Sequence, residues 1–103
     1  MKDLGKLIKQ AQQVQERLAE MQARLAEKTV EASSGGGMVT VVMNGKHEVV
    51  SMKIDPEVVN PADVEMLEDL ILAAARQGLK KAHDLREEEM SKVTGGVSLP
   101  GLT

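Results

Sequence analysis

Residues 38–55, with the sequence MVTVVMNGKHEVVSMKID, decide the fold of this chain. Two runs rich in β-branched residues flank Asn44-Gly45, a dipeptide typical of a tight hairpin because both central positions of a type I′ turn need φ > 0. Pairing the strands across this turn predicts one apolar face for the core and one mostly solvated face. The apolar face comprises Val39, Val41, Met43, Val50, Met52 and Ile54, and the other face comprises Thr40, His47, Ser51 and Lys53.

The length of the hairpin loop decides whether this assignment of residues to the apolar and solvated faces holds. A two-residue and a four-residue loop give the same faces because side chains alternate with a period of two. A three-residue loop inverts one strand and buries Ser51 and Lys53. An isolated hairpin is only marginally stable in water, so other elements must cover its apolar face.

Composition narrows the class of protein. The chain has 103 residues and a formal net charge of −3, which predicts one domain that buries only about 60–65% of its unfolded surface as a monomer. Phe, Tyr and Trp are absent, which argues against recognition of single strands by base stacking. Cys is also absent, which excludes disulfides, thiolate catalysis and zinc fingers and favours a reducing cytoplasm. The amphipathic N-terminus predicts neither a signal peptide nor a membrane span.

A long amphipathic helix is predicted over residues 4–27. Its apolar residues recur at alternating steps of three and four, the heptad pattern, and Ile8 widens the stripe. The stripe comprises Leu4, Leu7, Ala11, Val14, Leu18, Met21 and Leu25.

A third strand is predicted between this helix and the hairpin. Residues 28–34 alternate in polarity and end at a glycine triplet at positions 35–37, which predicts a turn back onto the hairpin. The predicted fold class is therefore α+β, with a three-stranded antiparallel sheet over residues 28–55. Pro56 ends the last strand because proline cannot donate to the ladder.

A second long helix is predicted over residues 61–90. Asn60 is placed as its N-cap and Pro61 at its first helical position. Gly78 is expected to bend or divide this helix. Residues 91–103 lack periodicity and are predicted to form a flexible tail.

The predicted helices are too long for the predicted sheet. Helices of about 24 and 28 residues span about 36 and 42 Å, whereas a strand of about six residues spans about 20 Å. Their apolar stripes continue beyond the sheet, where a large apolar surface would be exposed to water. We therefore expect an obligate homodimer, intertwined or centred on the sheets, with projecting helical arms.

The sequence offers little for catalysis. His47 and His83 lie on different predicted elements, and neither has a second ligand at metal spacing. We interpret His47 as a turn residue and His83 as a residue of the polar helix side. The clustered acidic residues near the start of the second helix are explained by the helix dipole. We therefore predict no enzyme activity, no catalytic or metal-binding residues, no cofactor and no small-molecule substrate.

Two basic patches lie on the predicted helices. The first has Lys2, Lys6 and Lys9 against Asp3, and the second has Arg76, Lys80, Lys81 and Arg86 against Asp84. One interpretation is an ordinary solvated helix face. The other is contact with duplex phosphates, which needs several correctly spaced Lys or Arg residues that a dimer doubles in number. Three glutamates at 87–89 argue against placing the whole end of the second helix on phosphates.

Taken together, short stretches along nearly the whole chain resemble the YbaB/EbfC family of nucleoid-associated proteins. No one of these stretches is specific alone, but their order and spacing are. They are KQAQQVQ at 9–15, Asn44-Gly45 followed by His47, Ile54-Asp55-Pro56, MLEDL at 66–70, Gly95-Gly96 and Leu99-Pro100-Gly101.

The resemblance implies a cytoplasmic, nucleoid-located bacterial protein that binds double-stranded DNA as a tweezer-like homodimer with limited sequence preference. It further implies effects on nucleoid organisation and gene expression, and contact with DNA through the first and last helices. Carried over by position, it points to Lys9, Gln10 and Gln13. We add five basic residues by charge and helix placement, namely Lys2, Lys6, Arg76, Lys80 and Lys81.

Two features bear on this expectation. The chain ends soon after Leu99-Pro100-Gly101 without a basic tail, and its net charge is negative, which predicts modest, strongly salt-dependent DNA affinity. The alternative is a structural or adaptor homodimer that holds a protein partner between its arms, with the basic residues serving only solubility. Membrane association is not expected under either alternative.

Overall fold

In the computed structural model, the described residues are 2–94. Helix α1 (Lys2–Glu27) is followed by strands β1 (Thr29–Ser34), β2 (Val39–Asn44) and β3 (Val49–Ile54), a short 3-10 helix (Pro56–Val58) and helix α2 (Val64–Thr94). The strands form one sheet in the order β1-β2-β3, and both pairings are antiparallel. This architecture confirms the predicted α+β fold with its two long helices and three-stranded sheet.

The hairpin loop has three residues rather than two. The amide of Asn44 donates to the carbonyl of Glu48 at 3.0 Å, and the amide of His47 donates to the carbonyl of Asn44 at 3.1 Å. The residue with positive φ is His47, at 65°, and not Gly45. The predicted type I′ turn is therefore wrong, and the loop is the three-residue type that ends in a left-handed residue.

The predicted faces survive this loop because β3 contains a bulge. Val39 pairs with Ile54 and Val41 pairs with Met52, so these four residues lie on one face, as predicted. The register shifts between Val42 and Met43, so that Met43 pairs with Val49. Val50 is the unpaired residue of this bulge, and this extra residue absorbs the odd loop length. Ser51 and Lys53 remain exposed.

Asn44 and Gly45 are needed for reasons other than φ. The Asn44 side-chain oxygen accepts from the amides of Lys46 at 2.9 Å and Glu48 at 3.1 Å, which holds the loop from inside. The Gly45 amide donates to the carbonyl of Leu25 at 2.8 Å. A Cβ at Gly45 would lie 2.5 Å from the Leu25 side chain. The glycine is therefore required because the hairpin loop packs directly on the end of α1.

Helix α2 is continuous through Gly78, so the predicted division of this helix is wrong. A Cβ at Gly78 would lie 2.9 Å from both Met43 Sδ and Val41 Cγ1. Gly78 stands between Ala74 and Ala82, and both of these alanines are fully buried. This stripe of small residues allows α2 to pack closely on β2.

The ends of α2 differ from the prediction. The helix begins at Val64 rather than at residue 61 because Asn60 closes a separate turn, in which its carbonyl accepts from the Asp63 amide at 2.9 Å. Asp63 then caps α2 by accepting from the Met66 amide at 3.2 Å. The helix continues to Thr94, so the first residues of the predicted tail are helical. The rest of that tail, residues 95–103, lies outside the described residues.

The core lies between α2 and the first two strands. Its buried residues are Ala32, Val39, Val41, Met43, Ala74 and Ala82. Strand β3 is not covered in the same way, since Val49, Val50 and Met52 are 59%, 56% and 42% exposed. The prediction that Val50 and Met52 are core residues is therefore wrong for the single chain, because α2 lies over β1 and β2 and does not extend over β3.

Helix α1 projects beyond the rest of the chain as an arm. Met21 and Leu25 in its last two turns are buried, whereas residues 3–17 are all exposed. Helix α2 spans about 46 Å and residues 2–17 of α1 about 24 Å at about 1.5 Å per residue. Their sum is close to the longest dimension of the molecule, 73 Å. The heptad stripe therefore packs against the rest of the chain at its C-terminal end only, whereas Leu4, Leu7 and Val14 face solvent.

Candidate nucleic-acid interface

The first basic patch lies on the projecting arm. Lys6 and Lys9 are exposed, as are the amides Gln10 and Gln13. Lys2 belongs to the same helix. Because Lys6, Lys9, Gln10 and Gln13 are separated from one another by steps of three and four, they share one side of α1. We call these four residues, together with Lys2, the arm patch.

The second basic patch lies on the outer side of α2. Arg76 and Lys80 are exposed. Lys81 is also exposed, but its ammonium group donates to the carbonyl of Glu31 on β1 at 2.7 Å. Lys81 is therefore held against the sheet, whereas nothing described in this part of α2 restrains Arg76 and Lys80 in the same way.

The two patches are separate within one chain. Lys81 contacts β1, while Lys9 lies 18 residues before the end of α1, which corresponds to about 27 Å at 1.5 Å per residue. One copy therefore presents two distant basic surfaces, and the eight predicted contact residues do not form a single site in it.

A third group of cations, missed by the sequence analysis, surrounds Glu89. Its Oε2 accepts from Arg24 Nε at 3.2 Å, and its Oε1 accepts from Lys28 Nζ at 2.5 Å and from Lys92 Nζ at 3.3 Å. Glu89 is fully buried, whereas the three basic side chains are 43–56% exposed. We call these four residues the Glu89 cluster. Its three cations and one carboxylate leave a net charge of +2.

The positive side chains of the Glu89 cluster favour the charged, deprotonated form of Glu89. The hydrogen bond from Lys28, together with those from Arg24 and Lys92, lowers the pKa of Glu89 from its ordinary 4.5 to about 2, against the opposing effect of burial. Glu89 therefore stays charged at any physiological pH. The sequence showed Glu89 only as the last of three consecutive glutamates, and its partners Arg24 and Lys28 are 65 and 61 residues away.

The two histidines also lie close together, which sequence reasoning did not anticipate. The ring centroids of His47 and His83 are 6.3 Å apart. His47 is a turn residue, as interpreted, and His83 Nε2 lies 3.9 Å from Glu87 Oε1 on the exposed side of α2. Within residues 2–94, no three His, Cys, Asp or Glu side chains are grouped as metal ligands would be.

A long exposed helical arm with lysines, joined to a three-stranded sheet, is the arrangement that the sequence resemblance to a DNA-binding family predicts. A sequence model of the YbaB/EbfC DNA-binding family matches residues 1–97. The chain therefore belongs to the YbaB/EbfC DNA-binding family, which confirms the resemblance found in the sequence.

Individual relatives agree with this membership. A nucleoid-associated protein of Thermoanaerobacter pseudethanolicus is 53% identical over 100 residues, which cover 97% of this chain and 90% of that protein. A nucleoid-associated protein of Thermodesulfovibrio yellowstonii is 54% identical over 101 residues, which cover 98% of this chain and 89% of that protein. Both relatives are bacterial.

The fold also matches a solved structure. The crystal structure of an uncharacterized protein of Helicobacter pylori aligns with a TM-score of 0.76 and covers 92% of this chain and 97% of that one, at 24% sequence identity. This similarity supports the fold alone. No helix within the described part of the chain is long and apolar enough to cross a membrane.

Proposed function

We propose that two copies of this chain form a tweezer-like homodimer that clasps duplex DNA between its helical arms. Binding has limited sequence preference and changes DNA conformation or organisation, with consequences for gene expression. The proposed location is the bacterial nucleoid, in the cytoplasm. The proposal assigns a binding role and no catalytic step.

The observation that carries this proposal is the exposed arm. In a chain of a DNA-binding family, the apolar stripe of α1 is exposed over residues 3–17 within one copy. The same segment presents two exposed lysines, Lys6 and Lys9, and the exposed amides of Gln10 and Gln13. Lysine and glutamine are suited to phosphate contact, which requires charge and hydrogen-bond donors but no base stacking.

The uncovered surface supports the homodimer. The accessible surface is 7600 Å², compared with about 5,700 Å² expected for a compact monomer of this mass. Large apolar side chains are exposed on β3 and on α1, among them Val49, Val50, Met52, Leu4, Leu7 and Val14. Burial of these residues against a second copy would also place a second arm on the same particle. Sedimentation showing a folded monomer at micromolar concentration would contradict the homodimer.

The proposed DNA contacts are the arm patch together with Arg76, Lys80 and Lys81. The two patches lie apart on one copy, so a duplex that reaches both would span the particle or meet patches from two copies. If roughly six phosphates are neutralised, the logarithm of the binding constant should fall with the logarithm of salt concentration at a slope of about −5. Association that does not depend on salt would remove phosphate contact as the mechanism.

The decisive experiment changes Lys6 and Lys9 together to Glu and measures binding to a mixed-sequence duplex by electrophoretic shift. We expect the shift to be lost while the homodimer, followed by sedimentation, is retained. Lys46 and Lys53 changed together to Glu provide the control, since this variant carries the same charge change outside both patches. Equal loss of binding in the two variants would mean that the arm patch has no special role.

A structural or adaptor homodimer is the second candidate. The specific observation in its favour is that the uncovered α1 stripe could equally bind an apolar face of another protein. Under this alternative the Lys6 and Lys9 substitutions leave partner binding unchanged, and the wild-type protein does not shift duplex DNA. The same assay therefore separates the two functions.

A further inference from the structure

The Glu89 cluster joins three parts of the molecule at the base of the arm. Arg24 comes from the last turns of α1, Lys28 from the residue between α1 and β1, and Glu89 and Lys92 from α2. Glu89 is the one charged residue with no exposed surface in the part of the chain that the structure describes. A buried carboxylate is unfavourable unless it is paired and hydrogen-bonded, so its position ties these three elements together.

Few other contacts fix the direction of α1. Over residues 3–27, the buried side chains of α1 are Met21 and Leu25, both in the last two turns. The hairpin adds two hydrogen bonds, from the Gly45 amide to the carbonyl of Leu25 at 2.8 Å and from Asn44 Nδ2 to the carbonyl of Ala26 at 3.4 Å. Apolar contacts have little directional preference, whereas charge-assisted hydrogen bonds constrain geometry. The ion pairs to Glu89 are therefore the contacts best suited to set the angle of the arm.

The arm amplifies any change of angle at its base. Arg24 and Lys6 are 18 residues apart, which corresponds to about 27 Å, so a rotation of about 10° at Arg24 moves Lys6 by about 5 Å. This displacement exceeds the range of a hydrogen bond to phosphate. A small change in the angle of α1 at the Glu89 cluster would thus move the lysines of the arm patch out of hydrogen-bonding distance of the duplex phosphates.

We propose that Glu89 is a positioning residue for DNA binding, which holds α1 through Arg24 and Lys28 at the angle that brings the arm patch onto the duplex. Glu89 itself, an anion, does not contact DNA. This role rests on the proposed function, and it also makes a claim about arm geometry that can be tested without DNA.

The first test compares Glu89→Gln with Glu88→Gln, which changes the charge identically at an exposed position one residue away. If only net charge matters, both variants bind duplex DNA slightly more tightly than the wild type. If Glu89 positions the arm, Glu89→Gln binds about tenfold more weakly and its salt slope is about one unit shallower, because fewer lysines reach phosphates. Equal affinity of the two variants would overturn the proposal.

A second pair of variants decides the matter if Glu89→Gln does not fold. Arg24→Gln removes the tie from α1 and leaves Glu89 paired with Lys28 and Lys92, whereas Arg17→Gln removes the same charge from an exposed α1 site nearer the arm patch. Electrostatics alone predicts the larger loss of affinity for Arg17→Gln. Positioning predicts the larger loss for Arg24→Gln, and the opposite order would refute it.

Arm geometry is measured directly by electron paramagnetic resonance. Because the chain has no cysteine, Gln13→Cys and Lys53→Cys allow two nitroxide labels to be placed on the arm and on β3, with excess unlabelled chain added to suppress signals between copies. We expect a narrow distance distribution in the Glu88→Gln background and a broader or shifted one in the Glu89→Gln or Arg24→Gln background. Unchanged distributions would overturn the positioning role, whereas failure of the wild type to bind DNA would overturn only the proposed function.

Discussion

Replacing Gly78 with Ala tests how closely α2 packs on the sheet. In a helix interior this substitution ordinarily stabilises by about 1 kcal/mol through helix propensity. Here the added Cβ would lie 2.9 Å from Val41 Cγ1 and 2.9 Å from Met43 Sδ, closer than ordinary van der Waals contact. Met43 can adjust because its side chain is flexible, but Val41 is fully buried on the central strand and has a stiff χ1.

Overpacking of a core costs about 1–3 kcal/mol. Subtracting the gain in helix propensity of about 1 kcal/mol leaves an expected net loss of about 1 kcal/mol in the free energy of unfolding. For a domain of this size the loss corresponds to a melting temperature lower by about 4–8 °C. Urea unfolding followed by circular dichroism, at matched protein concentration because of the expected homodimer, measures the difference.

Gly5→Ala provides the matched control. Gly5 is exposed in α1, and a Cβ there would meet no atom within 4 Å. The same substitution should therefore stabilise by about 0.5–1 kcal/mol, with a sign opposite to that at Gly78. A Gly78→Ala protein as stable as the wild type, or more stable, would refute the close approach of α2 to β2.

Two further predictions concern the pH dependence of stability and the uncovered strand. The pKa of Glu89, about 2 in the folded chain against 4.5 ordinarily, means that its contribution to stability is fully present above about pH 4.5 and is lost as the pH falls towards 2. Urea midpoints should therefore fall less steeply between pH 5 and pH 3 in Glu89→Gln than in the wild type, and parallel profiles would contradict the cluster. Met52→Glu should raise the dissociation constant of the homodimer at least about 100-fold, because an unpaired carboxylate is unfavourable in an apolar interface. Ser51→Glu on the other face should change it little, and sedimentation that finds equal effects would exclude the apolar face of β3 as the interface.

The order and type of the elements could be predicted because local patterns specify them. The heptad stripe of α1 and the β-branched runs around Asn44 each carry their own periodicity, and Asp55-Pro56 marks the end of β3. The details of the hairpin could not be predicted in the same way. An Asn-Gly pair is compatible with several loop lengths, and the odd count was corrected by a bulge at Val50 that has no local sequence signal.

The failures at Gly78 and Glu89 share one physical cause, which is contact between residues distant in sequence. Gly78 resembles a helix-breaking residue until Val41 and Met43 are seen beneath it. Glu89 resembles a solvated glutamate until Arg24 and Lys28 are seen beside it. Neither pairing leaves a periodic trace in the sequence, so only the fold could reveal them.

The distribution of charge explains how a chain with a net charge of −3 can still present a surface suited to DNA. Helix α2 begins with an acidic segment that includes Glu65, Glu68 and Asp69, and Ser34 at the far end of β1 contacts Leu70 beside it. The arm patch lies at the opposite end of a molecule 73 Å long. Because like charges repel the phosphate backbone and opposite charges attract it, this separation should orient the chain arm-first as it approaches a duplex. Under the proposed function, the negative net charge limits binding outside the two basic patches. The arm, whose angle we propose to be set by the Glu89 cluster, is then expected to meet DNA first.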